Sequence, residues 1–290
     1  MVRPYGHSHQ VSIRTPAPGT TRQGGDPAMA TPPSTTVLKA FELLDLFAER
    51  PLLSAGEAAR LLGVPRATTH RMLVTLRTAG VLESNEYGQY LLGLRLFELG
   101  SFAPLRRRLH DVSAAPLERL AAEIGLPALL SIRDGNDLLC LEKVHHPRSN
   151  VPGRVGQRGP LHATAAGKVL LAYAPRTVVE QVTAEPPARF TPYTVVDPDR
   201  LLAELGTVRE QGLAWEHDEH CQGVSSLATG IWNRAGQIVA AISVSAGTLP
   251  GQRRCRSVER PLLATATEIQ RRLGWRPVRE DATPVAGLTA

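Results

Sequence analysis

Between Glu57 and Glu83 the chain carries no acidic residue, while Arg60, Arg66, Arg71 and Arg77 fall inside that gap. Guanidinium groups without counter-charges make a local positive stripe, the kind of surface that meets phosphate oxygens. Thr68, Thr69, Thr75 and Thr78 are interleaved with them. Arginine holds guanine through two parallel hydrogen bonds, and threonine hydrogen-bonds a base edge or meets a thymine methyl. The chemistry on offer is recognition of duplex DNA, and the bland alternative is a solvated helix face.

Other reactive sets are weaker. Glu216-His217-Asp218-Glu219-His220-Cys221 contains zinc-ligand types. Neighbours on a strand alternate faces, so at most a subset could converge, and a polar loop without metal is expected. Gly167-Lys168 invites phosphate, yet seven residues separate Gly159 from Gly167 and Val169 follows the lysine. A phosphate loop needs four intervening residues and a hydroxyl for magnesium, so that reading fails. His162, His217 and Ser243 could be cast as a hydrolytic set, but no G-x-S-x-G elbow accompanies them. No catalytic residue and no cofactor is expected.

The elements around the arginine window decide between its two readings. Val37, Phe41, Leu44, Leu46 and Phe47 form a helical stripe that Pro51 stops. Ser54 with Glu57 makes a capping box for a short helix ended by Gly63. Pro65 opens a third helix with apolar Met72, Leu73 and Leu76, and Gly80 closes it. Helix, short turn and helix is helix-turn-helix spacing. Val81 to Glu83 and Gln89 to Leu92, joined by a polar turn, read as a hairpin wing. At 100° per residue, Ala67, Arg71, Thr75 and Thr78 face away from Leu73 and Leu76, with Thr68 and His70 flanking. The expected groove contacts are Arg66, Ala67, Thr68, Thr69, Arg71 and Thr75, with Tyr87 and Gln89 from the wing nearing the DNA backbone.

Beyond this segment, Leu105 to Ile124 is an amphipathic connector headed by Arg106, Arg107 and Arg108, which are read as solvated. Leu129 to Ile132 and Leu138 to Val144 flank an Asp134-Gly135-Asn136 turn and predict a hairpin. Helices are expected over 162–173, after Asp197-Pro198, and through Val258, Leu262, Ala266, Ile269 and Leu273. Strands are expected near 213–216, 224–233 and 237–245. The sum is an α+β chain: an N-terminal winged helix-turn-helix, then an antiparallel sheet with flanking helices that suits small-ligand binding. The boundaries are a disordered extension over 1–33, a DNA-binding domain over 34–95, a linker helix region over 96–124, an effector-binding domain over 125–275 and a disordered tail over 276–290.

Composition sets limits. The 290 residues are 42% hydrophobic, enough for one large or two ordinary domains. A net charge of +6 permits a nucleic-acid partner without establishing one. No run of about 18 apolar residues occurs, so neither a membrane span nor a signal peptide is expected. Cys140, Cys221 and Cys255 are odd in number and scattered, as in a reducing compartment, and a cytoplasmic location is expected.

Several stretches closely resemble a known family. Residues 159–172, from Gly159-Pro160-Leu161-His162 to Gly167-Lys168-Val169-Leu170, resemble the signature that opens the effector domain of IclR-type bacterial transcriptional regulators. So does the block from Gly212 to Ser245, and independently Pro65 to Leu73 with Tyr90-Leu91-Leu92-Gly93 resembles that family's recognition helix and wing exit. The resemblance runs from about Thr36 to Trp275. It implies a GAF-like effector domain, self-association to a dimer or tetramer, and operator DNA whose occupancy is controlled by a small organic effector, commonly a carboxylate or aromatic acid. Repressors and activators both occur, and a repressor is slightly favoured here. The family's pocket positions carry over to Ala165, Ala166, Glu216, Ser226, Ser243 and Ser245. Two departures, Ser226 where cysteine is common and Gly230 where proline is usual, are placed at or beside the pocket. A small-molecule sensor or a hydrolase-like enzyme without DNA binding is the alternative.

Overall fold

The computed structural model describes residues 32–147, 151–247 and 256–275. The expected disordered ends, 1–33 and 276–290, lie outside them except for Pro32 and Pro33, as does Cys255. The chain forms two compact units that divide between Arg107 and Arg108, inside the stretch read as linker.

The first unit begins with α1 (Thr35–Asp45) and a 3-10 turn at Leu46–Ala48. α2 (Ala55–Leu62) follows, and its start is the expected capping box: Glu57 N–H donates to the Ser54 hydroxyl, and the Glu57 carboxylate accepts from Ser54 N–H at 2.9 Å. Gly63 ends α2 at φ 64°, a left-handed conformation that glycine adopts without a Cβ penalty. α3 (Arg66–Thr78) comes next, then a hairpin of β1 (Leu82–Ser84) and β2 (Tyr90–Leu92), then α4 (Leu94–Ser101). Leu43, Phe47, Leu53, Ala58, Met72, Leu73, Leu82 and Tyr90 form one core. The stripe expected on α1 divides: Phe47 is buried, whereas Val37 and Phe41 are exposed.

The second unit carries α5 (Pro104–Ile124), β3 (Ala128–Asp134), β4 (Asp137–Val144), β5 (Arg158–Pro160), α6 (Ala165–Ala172), α7 (Arg176–Thr183), α8 (Pro198–Gln211), β6 (Leu213–His217), β7 (Val224–Trp232), β8 (Ile238–Gly247) and α9 (Arg256–Arg272). The strands form one antiparallel sheet in the order β5-β4-β3-β8-β7-β6. One face packs on α5 and α9 through Leu117, Leu120, Leu262 and Ile269. The other packs on α6 and α8 through Val169, Leu170, Leu201 and Leu205. β8 lies between β3 and β7 and is buried along most of its length, which explains its near-continuous run of apolar and small residues. β5 and α7 were not anticipated, and the helix expected over 162–173 starts later, at Ala165, because Thr164 caps it.

One irregularity matters below. β4 pairs Cys140 with Ser131 and Glu142 with Leu130, so Leu141 is an extra residue. Such a bulge reverses the alternation of side chains beyond it.

Gly167, in the first turn of α6, has no room for a methyl: a Cβ there would lie 2.4 Å from Thr164 Oγ1 and 2.6 Å from Leu161 O. Gly206, inside α8, faces open space. In urea unfolding, Gly167→Ala should lose about 1–3 kcal/mol by overpacking. Gly206→Ala should gain about 0.5–1 kcal/mol from the better helix former. Equal behaviour of the two variants would contradict this packing of α6.

Candidate functional site

On α3 the inner stripe takes Thr69, Met72 and Leu73 at positions i, i+3 and i+4. Arg66, Ala67, His70, Arg71, Thr75 and Thr78 are exposed, and Thr68 is half-buried. The outward face is thus the one expected, with one correction. Thr69 is fully buried, and its hydroxyl donates to Pro65 O at 3.3 Å, so it cannot touch a groove. Its polarity suggested contact, while its place in the helical period put it inward. Thr75 Oγ1 donates to Arg71 O at 2.8 Å, which leaves its methyl and lone pairs outward. In the wing, Asn85 Oδ1 accepts from Tyr87 N–H and Gln89 N–H, and Asn85 Nδ2 donates to Gln89 Oε1 at 3.0 Å. The Gln89 side chain therefore belongs to the turn, and Tyr87, 79% exposed, forms the tip. The side chains of Arg106 and Arg107 lie outside the described residues.

In the second unit the six pocket positions, drawn from α6, β6, β7 and β8, line one cavity of about 140 Å³. Ala165 and Ala166 are the first residues of α6. Thr164 Oγ1 accepts from Gly167 N–H at 3.1 Å, so the N–H groups of Ala165 and Ala166 have no place in the helix's own ladder. Across the sheet Glu216, Ser226 and Ser245 are register partners in successive strands, and the two serine hydroxyls are 2.9 Å apart. The sequence reading missed Ser131 and Leu129 on β3, Leu138 and Cys140 on β4, the strap from Val151 to Arg154, and His220 with Cys221. The signal for Leu129 and Ser131 was their alternation on a strand beside β8; the strap has no periodic signal. Gly230 is not at the cavity: a Cβ there would meet the Trp232 ring at 2.5 Å, and tryptophan fills the space.

The rim is held by buried charge. Lys168, one turn into α6, is almost wholly buried and donates to Glu219 at 2.6 Å and Glu204 at 2.8 Å. Lys168 is thus structural, and both partners sit in its own unit. Glu219 N–H and His220 N–H donate to Glu216 Oε1 at 2.8 and 3.2 Å. Burial pushes the Glu216 carboxyl up to about 7, against the lowering effect of these backbone donors. Burial likewise pushes the Cys140 thiol up to about 11 and holds His220 below the usual imidazole value.

The hydrolytic set does not assemble. His162 Nε2 meets Ala188 O, His217 stacks on Trp215 and meets Ser225, and Ser243 faces the cavity. Among the described residues, no three His, Cys, Asp or Glu side chains are placed to hold a metal ion, and no helix is long and apolar enough to cross a membrane.

A winged helix-turn-helix with an exposed basic face, in a chain whose second unit is a sheet domain enclosing a cavity, defines a transcriptional regulator. Residues 36–86 match the IclR helix-turn-helix domain and residues 105–271 the bacterial transcriptional regulator IclR C-terminal domain. The chain belongs to the IclR family, a non-enzymatic DNA-binding family. It is 33% identical over 214 residues to the HTH-type transcriptional regulator XynR of Escherichia coli (strain K12), covering 72% of this chain and 85% of that one. It is 32% identical over 232 residues to the HTH-type transcriptional repressor AllR of Salmonella typhi, covering 77% and 85%. Among solved structures it resembles an IclR homologue from Microbacterium hydrocarbonoxydans complexed with 4-hydroxybenzoate, at TM-score 0.76 and 27% identity, covering 83% of this chain and 99% of that one.

The folded chain keeps the Glu216 proton up to about pH 7, whereas the unfolded chain releases it near 4.5. Glu216 therefore contributes its stability in full below about pH 4.5 and loses it as the pH rises through 7. Glu216→Gln, which keeps an acceptor without the charge, should exceed wild type at pH 8 by on the order of 3 kcal/mol in urea unfolding. That advantage should largely vanish by pH 5; a gain independent of pH would show that another group titrates.

Proposed function

We propose that this chain is a cytoplasmic repressor that grips operator DNA through α3 and releases it when a small organic acid fills the cavity of the second unit. The observation that carries the reading is convergence: α6, β6, β7 and β8 bring backbone donors, hydroxyls and a carboxyl to one cavity. The N-terminus of α6 suits a carboxylate, because unpaired N–H groups and the positive end of the helix dipole both favour an anion. The serine hydroxyls suit a polar substituent on the same ligand, and Leu129, Leu138 and Val151 suit an apolar body. The 4-hydroxybenzoate held by the Microbacterium homologue has this make-up and is the first probe to try. The repressor sign is favoured by the AllR relatives.

Arg66 and Arg71 dock α3 in the major groove, Ala67, Thr68 and Thr75 lie against the bases, and Tyr87 reaches the flanking backbone from the wing. A second copy completes the reading head. Leu38 and Phe41 on α1, with Leu94 and Phe97 on α4, are exposed apolar side chains, and a soluble chain covers such surface by association. The assembly is a dimer or a tetramer.

The test selects operator fragments from random duplexes with the full chain and measures affinity against salt. Affinity should fall steeply with salt, as counterion release requires. Arg71→Ala should weaken the selected site by about 1–3 kcal/mol, roughly tenfold to a hundredfold, and relax its sequence preference. Unchanged affinity and preference would overturn the placement of α3.

A further inference from the structure

Part of the cavity lining is a strap, Val151 to Gln157, that leads into β5. Its far end is fixed to β4 by backbone pairing: Gly156 N–H donates to Cys140 O at 2.8 Å, and Cys140 N–H to Gln157 O at 2.9 Å. Its near end is held differently. Lys143 Nζ donates to Val151 O and to Gly153 O, each at 2.8 Å. Lys143 is on β4, three residues past Cys140, and regular alternation would turn it away from the cavity side. The bulge at Leu141 turns it back.

We propose that Lys143 is the latch of this strap, a positioning residue that sets how readily the cavity opens to its ligand. This rests on reading the cavity as the effector site.

The physical basis is a balance of opposed terms. Lys143 is nine-tenths buried, and among the described residues its ammonium meets no carboxylate. Holding the strap shut desolvates a charge, and two charge-assisted hydrogen bonds to carbonyls offset that cost. Opening rehydrates the ammonium and both carbonyls together, so the strap sits at the low-stability end of its unit. Gly153 adds to this: its φ of 119° is a conformation side chains rarely adopt, and the closed strap requires it. A neutral side chain at 143 would leave the carbonyls of Val151 and Gly153 without donors, and the strap would move outward to find water.

Cys140 supplies a reporter that needs no ligand. Its thiol is buried against the cavity, and burial keeps it protonated and unreactive. Strap opening both exposes and acidifies it. The experiment treats the full chain with iodoacetamide, follows Cys140 by peptide-mapping mass spectrometry, and measures amide exchange of 151–157 and of α6 in parallel. In Lys143→Met, Cys140 should label at least about tenfold faster and the strap amides should exchange faster, while α6 keeps wild-type protection. Lys143→Arg, which retains donors, should stay within about threefold of wild type. Gly153→Ala reaches the same contact from the strap side and should also speed labelling, so the proposal stands or falls even if Lys143→Met does not fold. Unchanged labelling in both neutral variants, or α6 protection falling in step with the strap, would overturn the latch. Labelling that follows Lys143 in a chain that binds no small acid would leave the latch standing and refute the effector reading alone.

Discussion

The cavity depends on one buried ammonium. Lys168 ties α6 to Glu204 on α8 and to Glu219 in the loop after β6. That loop presents His220 and, through the N–H groups of Glu219 and His220, holds the carboxylate of Glu216 on β6, and α6 presents the N–H groups of Ala165 and Ala166. Both rims are therefore fixed relative to each other by the same side chain. A lysine this deep is costly unless its donors are met, and removing one partner of such a pair costs about 3–5 kcal/mol. Glu219 Oε2 is buried and has no hydrogen-bond partner among the described residues. Thr191 and Thr194 brace its other side by donating to the carbonyls of Asp218 and Glu219.

The reading unit obeys a simpler constraint. A short helix can offer one face to a groove only if the opposite face is anchored, and Met72, Leu73 and the buried Thr69 provide that anchor. Gly93 closes the hairpin against the end of α3, since a Cβ there would lie 2.4 Å from Gly80 O. The outward side chains are thereby fixed without any of them being needed for packing.

Much of this was legible in the sequence, for identifiable reasons. Capping box, Gly63, Pro65 and Gly80 are local signals, and local signals set the helix ends. The pairing of β7 with β8 follows from the Arg234-Ala235-Gly236 turn. Thr69 is polar by type but inward by helical period, and the period decides where it points. Lys143 was invisible because counting alternate residues along β4 cannot see a bulge, which exists only in the pairing with β3. The strap from Val151 to Gln157 has no repeat of any kind, so nothing in its residues announced that it walls a cavity. The cavity positions proposed for the ligand on α6, β6, β7 and β8 came from the family resemblance, not from spacing.

Under the proposed function the two units are joined by linkage: a ligand shifts DNA affinity only by the difference between its affinities for the two arrangements of the protein. Reciprocity makes this measurable. A small acid that stabilises the full chain is titrated calorimetrically into the chain alone and into the chain saturated with its selected operator, and operator affinity is measured with and without the acid. The account predicts weaker acid binding on the operator, by the same factor that the acid weakens the operator. An acid that enters the cavity with equal affinity in both states would contradict it.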